Sequence, residues 1–256
     1  KIFSSLVNQQ SVNLNTYFKH LEELEYNGFT IFQNFTKKKE LKRLEKDIDT
    51  LYLQQINEFG YKNLKKINDL GVLRSPFVSS LKISKIIFSN KIQKICKDVI
   101  KGKFILHVNR AIINSKNIKH PASIWHRDLP YQVPSSHSVQ ALTFIHFINE
   151  SNKRNGGVSL IPCSHKWSII PSEDYLEKNS FIPDIKAGSL LVLNSTLLHS
   201  SSKSLTTKSR RALITIFSTP MFKQHINYPN YIDLKNKQNF LRKIKNITKL
   251  IGRSTS

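Results

Sequence analysis

The sequence has few acidic residues, few cysteines and no long apolar run. Its 17 Asp and Glu stand against 40 Lys and Arg, which gives a formal net charge of +23. The two cysteines, Cys96 and Cys163, lack metal-type or redox-type spacing, so no disulfide framework is expected. The longest apolar stretches, such as 190–193, are far shorter than the roughly 20 residues of a transmembrane helix. Because no charged and then apolar leader opens the chain, we expect a cytoplasmic protein.

The excess of basic charge has three explanations. Lysine, asparagine and isoleucine are enriched together, which is typical of AT-rich coding sequence, and this explanation is favoured because the basic residues are spread along the whole chain. An anionic small-molecule substrate is the second explanation, and contact with nucleic acid or an anionic membrane is the third. No nucleic-acid motif and no concentrated basic stripe is visible, so a nucleic-acid partner is not expected.

The hydrophobic pattern changes from helical to strand-like near the middle of the chain. A spacing of three and four predicts helices over 13–26, from about Thr36 onward, and over 83–100, with a short strand between the first two. From Lys103 the period becomes two, and the predicted strands begin near Phe104 and continue over 139–148, 158–161, 190–193 and 212–217. Helices followed by many strands, without βαβ alternation, predict a mainly β protein with flanking helices around a double-stranded β-helix (jelly-roll, cupin-like) core.

We expect a single domain over residues 1–256, since no linker, repeat or low-complexity block divides the chain. Residues 1–102 form its mainly helical flank, 103–220 its jelly-roll core, and 221–256 a C-terminal tail and helix. Residues 236–251 have the pattern of a basic amphipathic helix. Docking on the core is the favoured explanation of this pattern, and weak contact with a membrane surface is the alternative. The sequence does not determine the oligomeric state.

Three side chains have the chemistry of a mononuclear iron site. His126 and Asp128 lie two residues apart, so on an extended strand they share one face. His199 ends the apolar run that begins at Ser189 and supplies a second imidazole. Two imidazoles and one carboxylate match the facial triad of non-haem Fe(II) oxygenases, which leaves coordination positions open. Arg210 follows on the next predicted strand, and Arg211 beside it would point the other way.

Four segments resemble the phytanoyl-CoA dioxygenase (PhyH) family, a branch of the Fe(II)/2-oxoglutarate-dependent oxygenases. The similar segments are 27–35, 125–128, 155–166 and 187–213. Cys163 stands where the family usually has glycine, and Ser189 where it usually has aspartate. Both departures fall in turns rather than at ligands, so they affect local backbone shape more than chemistry.

The resemblance implies Fe(II), 2-oxoglutarate as cosubstrate, and O2. It implies His126, Asp128 and His199 as catalytic metal ligands, and Arg210 as the anchor of the distal carboxylate of 2-oxoglutarate. Ser201 and Asn109 are further candidates for contacts with this carboxylate. Tyr131 and Trp167, in loops expected around the mouth of the core, are candidate substrate contacts.

The expected function is hydroxylation of a C–H bond in a small organic substrate, with release of succinate and carbon dioxide. Two other classes of function stay open at this point. One is a non-catalytic cupin-like protein that binds a metal or ligand, and Arg210 counts against it because such a binder has no need of a cosubstrate anchor. The other is a basic nucleic-acid-binding module. The identity of the substrate does not follow from the sequence.

Overall fold

The computed structural model describes residues 2–116, 123–129, 138–234 and 250–251. Its eight strands are mostly antiparallel, and helices precede, flank and follow them, as the pattern predicts. The helices are α1 (Ile2–Asn27), α2 (Lys38–Phe59), α3 (Tyr61–Lys66), α4 (Leu81–Ile87), α5 (Asn90–Ile100), α6 (Glu173–Asn179) and α7 (Tyr228–Leu234). The strands are β1 (Phe29–Phe32), β2 (Val72–Arg74), β3 (Ile105–Asn114), β4 (Ala141–Phe147), β5 (Val158–Leu160), β6 (Leu190–Asn194), β7 (His199–Ser201) and β8 (Arg210–Ser218).

Two antiparallel sheets build the core. The larger has the strand order β1-β6-β4-β8-β3-β2, and the smaller consists of β5 and β7. β8 pairs with β3 on one side, with Asn114 opposite Arg210, and with β4 on the other. Because side chains alternate along a strand, one face of the large sheet packs against helices and the other faces the small sheet.

The helical layer covers the outer face of the large sheet. Leu44 and Ile48 of α2, together with Ile92 and Ile95 of α5, are almost completely buried in the same cluster as Leu213 of β8. Full burial of a side chain of this kind contributes about 1.5–3 kcal/mol. The apolar face of each helix therefore holds it on the sheet and leaves the opposite face of the sheet free to form a site. Among the described residues, none of the helices combines the length and the apolar composition of a membrane span.

Several elements differ from the predicted ones in extent. The first helix begins at Ile2 rather than at residue 13. The helix predicted over 83–100 is two helices, because Ser89 takes an extended conformation (φ −63°, ψ 150°) as the N-cap of α5. β2 is only three residues long, too short for its pattern to be recognised. Most of the predicted helix over 236–251 lies outside the described residues, although Leu250 and Ile251 are buried in the core.

Cys163, which stands where the family usually has glycine, has a backbone conformation that favours glycine. Its backbone lies in the left-handed region, with φ +65°, where a glycine would meet no steric penalty. The chain therefore accepts about 1–2 kcal/mol of local strain to keep the turn. The backbone shape is retained although the residue that favours it is absent.

Candidate metal centre

His126, Asp128 and His199 converge on one point. One donor atom from each lies within 4.8 Å of the other two. His199 Nε2 is 3.7 Å from Asp128 Oδ2, and His126 Nε2 is 3.9 Å from Asp128 Oδ1. These donor atoms are close enough to bind one ion, as the sequence predicts.

The backbone around these residues differs from the predicted strands. His126 does not lie on a continuous strand; it forms an isolated bridge with His199, and the chain bends at Asp128. His199 does not end the strand of the apolar run either. That strand, β6, ends at Asn194, whose side chain accepts hydrogen bonds from the backbone and hydroxyl of Thr196 in a turn, and His199 then begins β7 in the other sheet.

Both imidazoles have their Nε2 atoms available for a metal. The Nδ1 of His126 is 2.8 Å from the carbonyl oxygen of Ile124, and the Nδ1 of His199 is 3.0 Å from that of Leu197. A carbonyl oxygen can only accept, so each Nδ1 carries the proton and each Nε2 keeps its lone pair. Burial, and then the neighbouring His199, lower the pKa of His126 to about 4, so this imidazole is neutral near pH 7, as metal binding requires.

Asp128 is buried and held in its charged form. Burial opposes ionisation, but His199, His126, Arg110 and the Thr143 hydroxyl outweigh it, and together they lower the pKa of Asp128. The Thr143 hydroxyl donates to Asp128 Oδ2 over 2.6 Å and lies 2.9 Å from Ser195 Oγ. The carboxylate is therefore both ionised and oriented before any ion arrives.

One cavity, open to solvent, is lined both by the three donor residues and by Arg210. Arg210 is 3% exposed and donates to the Gly156 carbonyl over 2.7 Å. Its Nε has no hydrogen-bond partner, and no carboxylate pairs with it, among the side chains that the structure describes. Burial lowers its pKa to about 10, so the guanidinium remains charged at neutral pH. A buried charge without a counter-ion is costly, so this arrangement indicates an anion site.

The surroundings of Arg210 are polar on one side and apolar along the cavity. Asn114, opposite Arg210 on β3, donates to the Gly156 carbonyl over 3.2 Å and to Ser201 Oγ over 3.4 Å. Apolar side chains line the way from Arg210 to the donor residues: Ile112, Ile145, Val158, Ala212 and Ile214. Adjacent Arg211 points away and pairs with Asp49 and Glu45 of α2, so Arg210 alone of the two faces the cavity, as predicted.

The other predicted site residues differ in where they lie. Ser201 lines the cavity near Arg210. Asn109 does not: its amide is buried on the helical face of the sheet, where it donates to Thr215 Oγ1 and accepts from Phe77 N–H. Trp167 packs with Ile161 and Leu198 in a separate cluster and does not line this cavity. Tyr131 lies outside the described residues.

Arg110, Asn114 and Thr143 were missed in the sequence. Thr143 and His146 are the two polar positions in the otherwise apolar strand β4, and this interruption of the run is the signal that could have identified Thr143. Asn114 ends β3, where a polar residue is ordinary, and its role depends on a cross-strand register that the sequence does not show. Arg127, between two metal-site residues, faces away and donates to the Trp167 carbonyl over 2.7 Å, which fixes the loop beneath the site.

Comparison with known proteins identifies the family. The family model of phytanoyl-CoA dioxygenase (PhyH) matches residues 24–212, well over half of the chain. The chain belongs to this family. Two relatives, the uncharacterized proteins Mb1539 of Mycobacterium bovis and Rv1501 of Mycobacterium tuberculosis, are each 27% identical over 196 residues, which cover 70% of this chain and 68% of theirs.

Solved structures with the same fold are far more distant in sequence. Apo HygX from Streptomyces hygroscopicus has a TM-score of 0.60 at 12% identity, and the match covers 80% of this chain and 87% of that one. Iron-bound HygX gives 0.61 at 11% identity, covering 80% and 88%. SnoN, described as a non-heme alpha ketoglutarate dependent epimerase from nogalamycin biosynthesis, gives 0.56 at 12%, covering 79% and 82%. These likenesses confirm the predicted fold class, a double-stranded β-helix with flanking helices.

Family membership and the donor set together establish the coarse function. A PhyH-family chain that brings two imidazoles and a carboxylate together has an oxygenase type of function dependent on iron and 2-oxoglutarate. The family resemblance seen in the sequence is therefore confirmed. The protein is therefore an enzyme dependent on non-haem iron and 2-oxoglutarate, of a family that acts on small molecules.

Proposed function

We propose that the protein is an Fe(II)- and 2-oxoglutarate-dependent hydroxylase of a small organic molecule. His126, Asp128 and His199 would hold the iron, and Arg210 with Ser201 would hold the distal carboxylate of 2-oxoglutarate. When bound, iron and 2-oxoglutarate supply, with O2, the oxidising power to hydroxylate a C–H bond as succinate and carbon dioxide form. The protein supplies binding, orientation and electrostatics for this chemistry.

The observation that carries the proposal is that the Arg210 guanidinium has no carboxylate partner among the described residues. It lies buried at the end of the cavity away from the donor residues, with an apolar wall between the two. A ligand that fits must therefore carry an anionic group at one end, a short apolar middle, and metal-binding oxygens at the other end. 2-Oxoglutarate has this pattern. Each charged hydrogen bond to Arg210 would contribute about 1.5–3 kcal/mol.

Asp128 supports oxygenation over halogenation. A carboxylate at this place fills a coordination position that an external anion such as chloride could otherwise take, and here Arg110 and the Thr143 hydroxyl help to hold that carboxylate in its charged form. The cavity wall beside this carboxylate is apolar and includes Ile112, Ile145 and Ile214. We therefore expect oxygen transfer to carbon as the outcome.

Turnover under ¹⁸O2 with Fe(II) and 2-oxoglutarate, read against a panel of small molecules, tests this proposal. The expected result is substrate-dependent succinate release, with one ¹⁸O atom in the product. A product of unchanged composition would contradict hydroxylation and indicate an epimerisation of the kind named for SnoN. Asp128→Ala is expected to abolish substrate-linked succinate formation, whereas Asp98→Ala, which removes a partly exposed partner of Lys94, is expected to keep it.

A further inference from the structure

Two arginines face each other directly across strands β2 and β3. Arg74 and Arg110 are register partners, and like charges in this position repel. Arg74 avoids the conflict by turning outward, where its Nε and a terminal nitrogen donate to both carboxylate oxygens of Asp69 over 2.5 and 2.8 Å. Arg110 has no such two-oxygen acceptor among the described residues, where its carboxylate contact is Asp128 at 3.9 Å. Arg74 is therefore paired at hydrogen-bond distance within the protein, and Arg110 is not.

Arg110 extends into the cavity at its metal end. Its side chain is 33% exposed, and its terminal nitrogen lies 3.9 Å from Asp128 Oδ1, beyond hydrogen-bond distance. Its Nε is buried and has no hydrogen-bond partner in the part of the chain that the structure describes. The segments 117–122 and 130–137, which lie outside the described residues, contain no Asp or Glu. A carboxylate that pairs fully with Arg110 therefore has to come from a ligand.

The two guanidinium groups lie at different places in one cavity. Arg110 and Asn114 are four residues apart on β3, about 13 Å along a strand, and Asn114 is the partner of Arg210. A short dicarboxylate that binds both the metal and Arg210 would not neutralise Arg110, which lies beside the metal. The group that meets Arg110 is therefore next to the position where a substrate would react.

We propose that Arg110 binds a carboxylate or phosphate of the substrate and selects an anionic small molecule. This inference rests on the proposed function, because it assigns 2-oxoglutarate to Arg210. Both anions suit the planar fork of a guanidinium, which forms two parallel hydrogen bonds with either. The anion would fix one end of the substrate close to the donor residues, so that only a carbon at a set distance from the charge is presented for reaction.

Calorimetric titration under anaerobic conditions tests this assignment, with the protein saturated in Fe(II) and 2-oxoglutarate. The probes are phenyl phosphate, benzoate and, as a neutral match, benzyl alcohol. In the native protein the two anions are expected to bind at least about tenfold more tightly than the alcohol, and Arg110→Met to remove this difference. Arg110→Lys keeps the positive charge but lacks the planar guanidinium, so it is expected to retain part of the preference for anions. Arg74→Met, which changes the neutralised partner, is expected to bind like the native protein.

Equal binding of the anions by the native protein and Arg110→Met, or no preference for anions in the native protein, overturns the inference. The visible charge-transfer band of bound Fe(II) and 2-oxoglutarate supplies the second readout. If Arg110→Met loses this band, Arg110 serves the metal or cosubstrate and the assignment to substrate is wrong. If the native protein itself shows no band, the proposed function fails, whatever the probes do.

Discussion

His126 and His199 exchange two backbone hydrogen bonds, each with an N–O distance of 3.0 Å, although 73 residues separate them. Each histidine also places its Nδ1 against the carbonyl oxygen two residues before it. The same kind of hydrogen bond therefore orients both rings, whose centroids are 4.3 Å apart. The positions of the metal-binding nitrogens are set by main-chain pairing, so the donor atoms are arranged before an ion binds.

The Thr143 hydroxyl is expected to tune metal affinity through Asp128. Thr143→Val removes the 2.6 Å hydrogen bond while keeping the shape of the side chain, and loss of such a supporting contact typically weakens metal binding by about 10- to 100-fold. Titration with Fe(II) measures the change. Thr215→Val is the matched control, since this buried hydroxyl accepts from Asn109 on the opposite face of the sheet. Equal metal affinities for the two variants would show that Thr143 is only a packing residue.

Arg210 and Arg211 provide an internal test of the cosubstrate site. Arg210→Met is expected to raise the Kd for 2-oxoglutarate by about tenfold or more, because the buried guanidinium is its proposed anchor. Arg211→Met removes the adjacent cation, which pairs with Asp49 and Glu45 outside the cavity, and is expected to leave this Kd unchanged. Binding of 2-oxoglutarate to the metal-loaded protein gives both values. If only Arg211→Met lost affinity for 2-oxoglutarate, Arg211 and not Arg210 would be the anchor of the cosubstrate.

Gly156 is expected to be required for the Arg210 site rather than only for the local turn. A Cβ at this position would come within 2.7 Å of the Ser202 carbonyl oxygen and closer still to Asn114 Nδ2. Gly156→Ala is therefore expected to lower 2-oxoglutarate affinity as well as stability. Gly60→Ala is the control, because its φ of +81° matches the +78° of Gly156 but its Cβ would meet no atom closer than 3.8 Å. Both variants place a Cβ on a backbone with positive φ, but only the Cβ of Gly156→Ala meets the surroundings of Arg210, so only Gly156→Ala should weaken binding. Unaltered binding in it would contradict this expectation.

His146 is expected to make the protein less stable in acid. Burial lowers its pKa to about 3, and neither ring nitrogen has a hydrogen-bond partner among the described residues. The unfolded chain, with a pKa near 6.5, takes up a proton that the folded chain does not, so its contribution to stability is full above pH 6.5 and falls as the pH drops toward 3. Between pH 7 and pH 5 the loss is roughly 2 kcal/mol.

Denaturant unfolding of the native protein and His146→Leu at these two pH values measures that contribution. The variant is expected to lose less stability on acidification than the native protein. Other buried histidines titrate in both proteins, so only the difference between them reports on His146. Identical pH dependence in the two proteins would show that this ring does not titrate as its burial requires.

The proximity of the three donor side chains could be predicted from the sequence, while their role as metal ligands stays a prediction. His126 and Asp128 are two residues apart, and His199 and Arg210 lie where two apolar runs meet polar residues. The pattern of residues does not show where a strand breaks. His199 falls in a different sheet from β6 because Asn194 and Thr196 form a turn in between, and a continuous reading of that run misses the turn.

The choice of Asn109 over Asn114 has a more specific cause. β3 has an irregular register between Leu106 and Val108. Leu106 faces the helical core, whereas Val108 and the even-numbered residues after it face the cavity. A bulge of this kind reverses which side chains point inward, and alternation in the sequence alone does not reveal it. Asn109 therefore lies on the helical face, and the amide beside Arg210 belongs to Asn114.

Anaerobic titration of Fe(II)-loaded protein with 2-oxoglutarate tests whether the three donor residues bind iron and Arg210 binds 2-oxoglutarate. We expect a weak visible charge-transfer band in the native protein and loss of the band in His199→Ala. In Arg210→Met the band should need a higher 2-oxoglutarate concentration to form. A native protein that shows no band, or a band that persists unchanged in both variants, would contradict the assignment of iron to the three donor residues and of 2-oxoglutarate to Arg210.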